Sequence, residues 1–127
     1  MIKGIEGINF FSSDAAKLSD FYVKKIGLKV SFEGIMGEHD ESIYVFEMKS
    51  GSNLYIIDHS EVKGKNKNPQ RTIINFEVDD IKKDVRKLKK EKVKLVQDIY
   101  HVEDYGFIAT FEDPEGNYFQ LVQTKSS

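Results

Sequence analysis

The chain has 127 residues, enough for one domain with a hydrophobic core or for two small, closely packed units. Hydrophobic residues make up 39%, charged residues 31%, and the net charge is −2. That balance fits a soluble globular protein and gives no global pull toward nucleic acid. No apolar run approaches the ~20 residues of a membrane helix. The absence of cysteine excludes disulfides, thiolate nucleophiles and Cys-ligated metal centres, and fits the cytoplasm.

The opening MIKGIEGINFF places a lysine and a glutamate where a signal peptide needs unbroken apolar residues, so no leader is expected. A first strand is predicted over Glu6–Ser12. Asp14 or a preceding serine caps a helix in SDAAKLSDFYVKKIG, with Ala15, Leu18, Tyr22 and Ile26 near helical spacing and Gly27 at the left-handed stop. Strands follow at Leu28–Gly34, Ser42–Met48 and Asn53–His59, with Lys49-Ser50-Gly51-Ser52 as a turn. The polar stretch Glu61–Arg71, with Gly and Pro, reads as a linker. Beyond it the pattern gives a strand at Thr72–Val78, a helix from Asp80 to Lys92, and strands at Lys94–Val102, Phe107–Phe111 and Tyr118–Gln123. Lys82–Lys94 carries eight basic and two acidic residues, but Ile81, Val85 and Leu88 recur at helical spacing. This is the solvated face of an amphipathic helix, without the aromatics a nucleic-acid stacking surface would need.

The order of elements repeats, and so do residues. Ile8-Asn9-Phe10 returns as Ile74-Asn75-Phe76 at an offset of 66, and Asp14 aligns with Asp80. Near the same offset Phe46-Glu47 matches Phe111-Glu112, Gly51 matches Gly116, Leu54 matches Phe119 and Ile56 matches Leu121. The architecture is therefore α+β, a βαβββ module twice: module one over about 4–60, the linker 61–71, and module two over about 72–125. Strand alternation divides each sheet into two faces. Ile8, Phe10, Leu54, Ile56, Ile74, Phe76, Phe119 and Leu121 pack under the helices. The opposite face carries Gly7, Asn9, Phe11, Tyr55, Ile57 and His59 in the first module. In the second it carries Ile73, Asn75, Glu77, Tyr118, Gln120 and Val122. Aromatics mixed with amides and a carboxylate suit a small-molecule site.

The duplicated βαβββ unit, Phe21-Tyr22 before Ile26-Gly27-Leu28, and the closing turn Asp113-Pro114-Glu115-Gly116-Asn117 resemble the vicinal oxygen chelate superfamily. That group includes glyoxalase I, extradiol dioxygenases, fosfomycin-resistance enzymes and bleomycin-binding proteins. The resemblance implies one domain over 1–127, whose modules form a curved mixed sheet with an open cup. It also implies, in metal-dependent members, two ligands per module for a divalent cation acting as Lewis acid or oxygen activator. Here the inherited ligand positions are Gly7, Tyr55, Ile73 and Gln120. Gly7 and Ile73 offer no donor, a neutral tyrosine is a poor ligand, and a lone amide does not hold catalytic zinc or nickel. A divalent metal is expected only if the register slips by one residue, which would break the apolar face.

These readings predict a metal-free, bleomycin-resistance-like binder with no cofactor. Its small-molecule ligand, aromatic or antibiotic-like, would stack on Phe11, Tyr55 and Tyr118, with Tyr44 or Phe46 as further candidates. It would be oriented by Asn9, Asn75 and Gln120. Gln120 is expected to bond that ligand, or Asn9, Asn75 or Tyr118. Ile57 and His59 complete the lining. The alternative is a metal-dependent glyoxalase-like lyase, isomerase or dioxygenase. A metal-free enzyme would need Glu77 as base, with its carboxylate desolvated among apolar neighbours. His39 is expected in solvent in GEHDES, and the three histidines lack zinc-site spacing. A homodimer is expected from the resemblance, and neither a membrane nor a nucleic acid is expected as partner.

Overall fold

A computed structural model describes residues 1–125. The chain divides into two compact units, Met1–Gly64 and a second beginning at Lys65, so the division falls inside the expected linker. Each holds one mixed four-stranded sheet and one α-helix.

The first unit contains β1 (Gly7–Ser12), α1 (Ala15–Phe21), β2 (Phe32–Met36), β3 (Glu41–Phe46) and β4 (Asn53–Asp58), with sheet order β1-β4-β3-β2. β1 runs parallel to β4, and the other pairs are antiparallel. Asp14 caps α1 by accepting from the Lys17 N–H at 3.1 Å, as the sequence predicts. A π-helical turn, Tyr22–Ile26, continues α1. It ends at Gly27, whose φ of +90° is the left-handed conformation a glycine adopts without strain. The Leu28 N–H returns to the Tyr22 carbonyl at 3.0 Å. The wide turn fully buries the Tyr22 ring against Phe10 and Phe21. This gives Phe21-Tyr22 and Ile26-Gly27-Leu28 a structural role. Leu18, Tyr22, Phe46, Leu54 and Ile56 are all buried in this unit. Side chains of this size gain roughly 1.5–3 kcal/mol each on full burial.

The second unit contains β5 (Ile74–Glu77), α2 (Ile81–Lys90), β6 (Lys94–Val102), β7 (Gly106–Glu112) and β8 (Tyr118–Thr124), with order β5-β8-β7-β6. Asp80 caps α2 through the Lys83 N–H at 3.2 Å, and Ile81, Val85 and Leu88 form its buried face. The repeat holds at the level of pairing. Asn9 lies beside Tyr55 in the first sheet, and Asn75 lies beside Gln120 in the second. Phe46, Leu54 and Ile56 are buried, as are their counterparts Phe111, Phe119 and Leu121.

The repeat also reaches the helix N-termini. In the first unit Asp58 Oδ1 accepts from the Ala15 N–H at 2.7 Å, and in the second Gln123 Oε1 accepts from the Ile81 N–H at 2.9 Å. Each last strand thus satisfies the first donor of its own helix.

Several expected boundaries move. The second strand begins at Phe32 instead of Leu28, and runs past Gly34 to Met36. Its limits follow its pairing with β3 around the turn at Gly37–Asp40, where Gly37 and Asp40 have φ of +80° and +54°. β5 starts at Ile74, which leaves Ile73 ahead of the strand. The linker contains a single 3-10 turn, Pro69–Arg71.

The Asp113-Pro114-Glu115-Gly116-Asn117 turn is closed by a buried carboxylate. Asp113 Oδ1 accepts from the N–H groups of Glu115 and Asn117 at 2.8 and 3.0 Å, and Oδ2 accepts from the Asn117 amide at 3.0 Å. Asn66 of the linker donates its N–H to the Glu115 carbonyl at 2.8 Å and its side-chain amide to Asn117 Oδ1 at 3.1 Å. The turn therefore fastens the start of its own unit.

Candidate functional site

The sheet face of the first unit opposite α1 carries a cleft of about 420 Å³. β1 supplies Asn9 and Phe11, β2 supplies Met36, and β3 supplies Glu41 and Ile43. From β4 and its end come Tyr55, Ile57, Asp58 and His59. Alternation explains most of the set, because residues two apart on a strand share a face. Phe11 and His59 meet edge to face with ring centres 5.3 Å apart. His59 Nδ1 accepts from the Glu61 N–H at 3.1 Å, so a neutral ring holds its proton on Nε2.

All five first-unit residues expected to bind ligand, Asn9, Phe11, Tyr55, Ile57 and His59, line this cleft. Met36, Glu41, Ile43 and Asp58 were not anticipated. Once a strand starts at Glu41, its alternation Glu41-Ile43-Val45 is the signal for two of them. Tyr44 and Phe46 do not reach this face. They alternate with Ile43 and Val45, pair with Ile56 and Leu54 on the helix side, and Phe46 is fully buried. Tyr44 ionises above the ordinary tyrosine range, first because of burial and then because of Glu33, Asp58 and Asp14.

Tyr55 accounts for its inherited ligand position and for that of Gly7. Its ring lies over Gly7, where any Cβ would collide with the ring edge. Its hydroxyl donates to Glu6 Oε2 and accepts from the Asn53 amide at 3.4 Å. The bond to Glu6 is the main reason its pKa is raised, away from the phenolate a metal would need. In the second unit Ile73 has no donor. The Gln120 amide nitrogen donates to Thr110 Oγ1 on β7 at 2.9 Å, a partner the sequence did not suggest. These residues do not fit a divalent cation. Among the described residues no three His, Cys, Asp or Glu side chains converge as a metal site requires.

The second unit keeps its expected residues on one face of β5 and β8. Asn75 lies beside Gln120, Glu77 beside Val122, and Tyr118 opposite Glu112. Asn75 and Glu77 are exposed, so Glu77 lacks the apolar burial that a desolvated base requires. His39 is exposed in its loop, as expected. His101 is also exposed and packs on Phe107 with ring centres 4.9 Å apart.

Two units of one βαβββ plan, the first with a small-molecule-sized cleft on its open sheet face, define the class. The chain belongs to the Glyoxalase/Bleomycin resistance protein/Dioxygenase superfamily, whose family model matches residues 4–121. A relative from Bacillus subtilis (strain 168), the uncharacterized protein YetH, is 26% identical over 121 residues, which is 95% of this chain and 98% of that one. Among solved structures, the fold matches TnmS3, an antibiotic-binding protein from Streptomyces sp. CB03234. The TM-score is 0.76 and the identity 23%, covering 98% of both chains. It also matches the trypanothione-dependent glyoxalase I of Leishmania major, with TM-score 0.78 and 22% identity, over 98% of this chain and 89% of that one. At these identities the structural likeness is one of fold. Among the described residues no helix is long and apolar enough to cross a membrane.

Proposed function

We propose that the protein is a metal-independent receptor for a small, flat, largely apolar molecule held in the cleft of the first unit. The observation that carries this reading is the pairing of that cleft with Tyr55. A volume of about 420 Å³ walled by Phe11, Met36, Ile43 and Ile57 suits a drug-sized ligand, while the Tyr55 ring fills the space over Gly7, which the superfamily resemblance makes a ligand position. The antibiotic-binding TnmS3 supports the reading at the level of fold. In the second unit, Asn75, Tyr118 and Gln120 are proposed as ligand-binding residues of that unit's own sheet face.

The test is a thermal-shift screen of planar aromatic compounds and antibiotics in EDTA. A ligand at a hundred times its Kd stabilises by about 2.7 kcal/mol, a shift that is easily read. Hits should bind in EDTA and be lost in the cleft-filling variant Ile43→Trp. Binding that needs added Zn²⁺ or Ni²⁺, or that ignores Ile43→Trp, would refute the reading.

We also propose a cytoplasmic homodimer that does not engage nucleic acid. Exposed Phe32, Ile35 and Met36 on edge strand β2, and Leu95, Val96 and Tyr100 on edge strand β6, favour a partner. A monomer in light scattering at micromolar concentration would overturn the dimer.

A further inference from the structure

We infer that Glu41 is the anchor of the cleft and that the ligand carries a positively charged, hydrogen-bond-donating nitrogen on its aromatic body. This rests on reading the first unit's cleft as the ligand site. Glu41 opens β3 opposite Met36 and lines the cleft with it. Its Oε2 oxygen is buried and has no hydrogen-bond partner. Buried carboxylate oxygens are normally paired, because losing water without gaining a donor is costly.

That oxygen lies against Gly37. Gly37 lacks a side chain, and a Cβ there would stand 2.5 Å from Oε2, so the carboxylate occupies space that any other residue would take. The left-handed φ of +80° at Gly37 reinforces the requirement for glycine.

The other acid of the cleft is already engaged. Asp58 accepts from the Ala15 N–H at 2.7 Å through Oδ1 and from the Ser42 N–H at 3.2 Å through Oδ2. The Tyr55 hydroxyl is held by Glu6 and Asn53, and His59 Nδ1 by Glu61. Among the described residues no lysine or arginine lines the cleft. Its charged lining is therefore acidic, and Glu41 is the carboxylate with an oxygen that has no partner. An ammonium or amidinium nitrogen matches both sign and hydrogen-bonding sense. A ligand carboxylate would meet Glu41 and Asp58 with like charge.

The experiment compares three planar tricyclic probes by fluorescence titration in EDTA: cationic proflavine, neutral acridone and an anionic acridine carboxylate. Wild-type protein should bind proflavine roughly ten- to a hundredfold more tightly than acridone, as a charge-assisted hydrogen bond requires, and the carboxylate most weakly. Glu41→Gln keeps the shape of the side chain and removes its charge. It should bring proflavine down to about the affinity of acridone. If wild type binds the three probes alike, or Glu41→Gln keeps the preference, the anchor is refuted while the cleft stands. If no probe binds, or binding survives Ile43→Trp, the cleft reading falls with it. The wild-type ranking decides the question by itself should Glu41→Gln fold poorly.

Discussion

Gly7→Ala is the perturbation that most directly examines how the inherited ligand positions have been refilled. In an ordinary strand this change stabilises by roughly 0.5–1 kcal/mol, because alanine loses less backbone entropy on folding. At Gly7 the new Cβ would strike the Tyr55 ring edge and lie 3.2 Å from the Asn53 carbonyl oxygen. The ring must swing away, disturbing its bond to Glu6. Overpacking of this kind costs about 1–3 kcal/mol, so the net effect should be destabilisation by about 1–2 kcal/mol. Removing the obstacle should reverse the sign. In a Tyr55→Ala background, Gly7→Ala should be neutral or stabilising, which leaves a coupling energy of about 1–3 kcal/mol between the two sites. Urea unfolding of the four members of the cycle measures it. A Gly7→Ala variant as stable as wild type, or one equally destabilised in both backgrounds, would show that Tyr55 does not occupy the space above Gly7.

Other consequences can be checked with the same protein. Asp113→Ala strands two backbone donors and an amide in a buried turn, and should cost about 2–4 kcal/mol in urea unfolding, whereas Asp113→Asn, which keeps an acceptor, should cost less. Asp58→Ala removes the acceptor for Ala15 and Ser42 and should cost about 1–3 kcal/mol, with faster amide exchange at both positions. Asp98 titrates below the usual aspartate range, chiefly through its bond to Lys89 and then through the Ile99 N–H. Its contribution to stability is present above the unfolded-state pKa and lost as pH falls through the lower folded value. Lys89→Ala should raise the Asp98 pKa in an NMR titration. Tyr55 is raised by Glu6, so its contribution is present below the unfolded tyrosine pKa and lost as pH rises through the folded value. Glu6→Gln should lower the Tyr55 pKa in a phenolate-absorbance titration referenced to Tyr55→Phe.

What the sequence revealed was what period and punctuation encode. Asp14, Gly27 and Asp80 mark helix ends through local backbone chemistry, and all three act as expected. Alternation placed Asn9 with Tyr55, and Asn75 with Gln120, on one face of each sheet, and the structure sets each pair side by side. The limits of β2 were not legible, since the alternation from Leu28 continues before pairing begins, and only β3 decides where a strand exists. Side-chain partners across strands were equally hidden. Glu6 and Tyr55 are 49 residues apart, and Thr110 lies ten before Gln120. Glu41 sits in the polar run GEHDES, and its place in the cleft emerges from the turn at Gly37.

The central claim is that a ligand binds the first unit's cleft without a metal. Calorimetric titration of the best screening hit into metal-stripped protein, first in EDTA and then with Zn²⁺ or Ni²⁺, tests it most directly. Stoichiometric binding in EDTA, not tightened by added metal, is the expected result. Heat that appears only after metal is supplied, or stoichiometric metal binding tighter than about micromolar, near 8 kcal/mol, would contradict it.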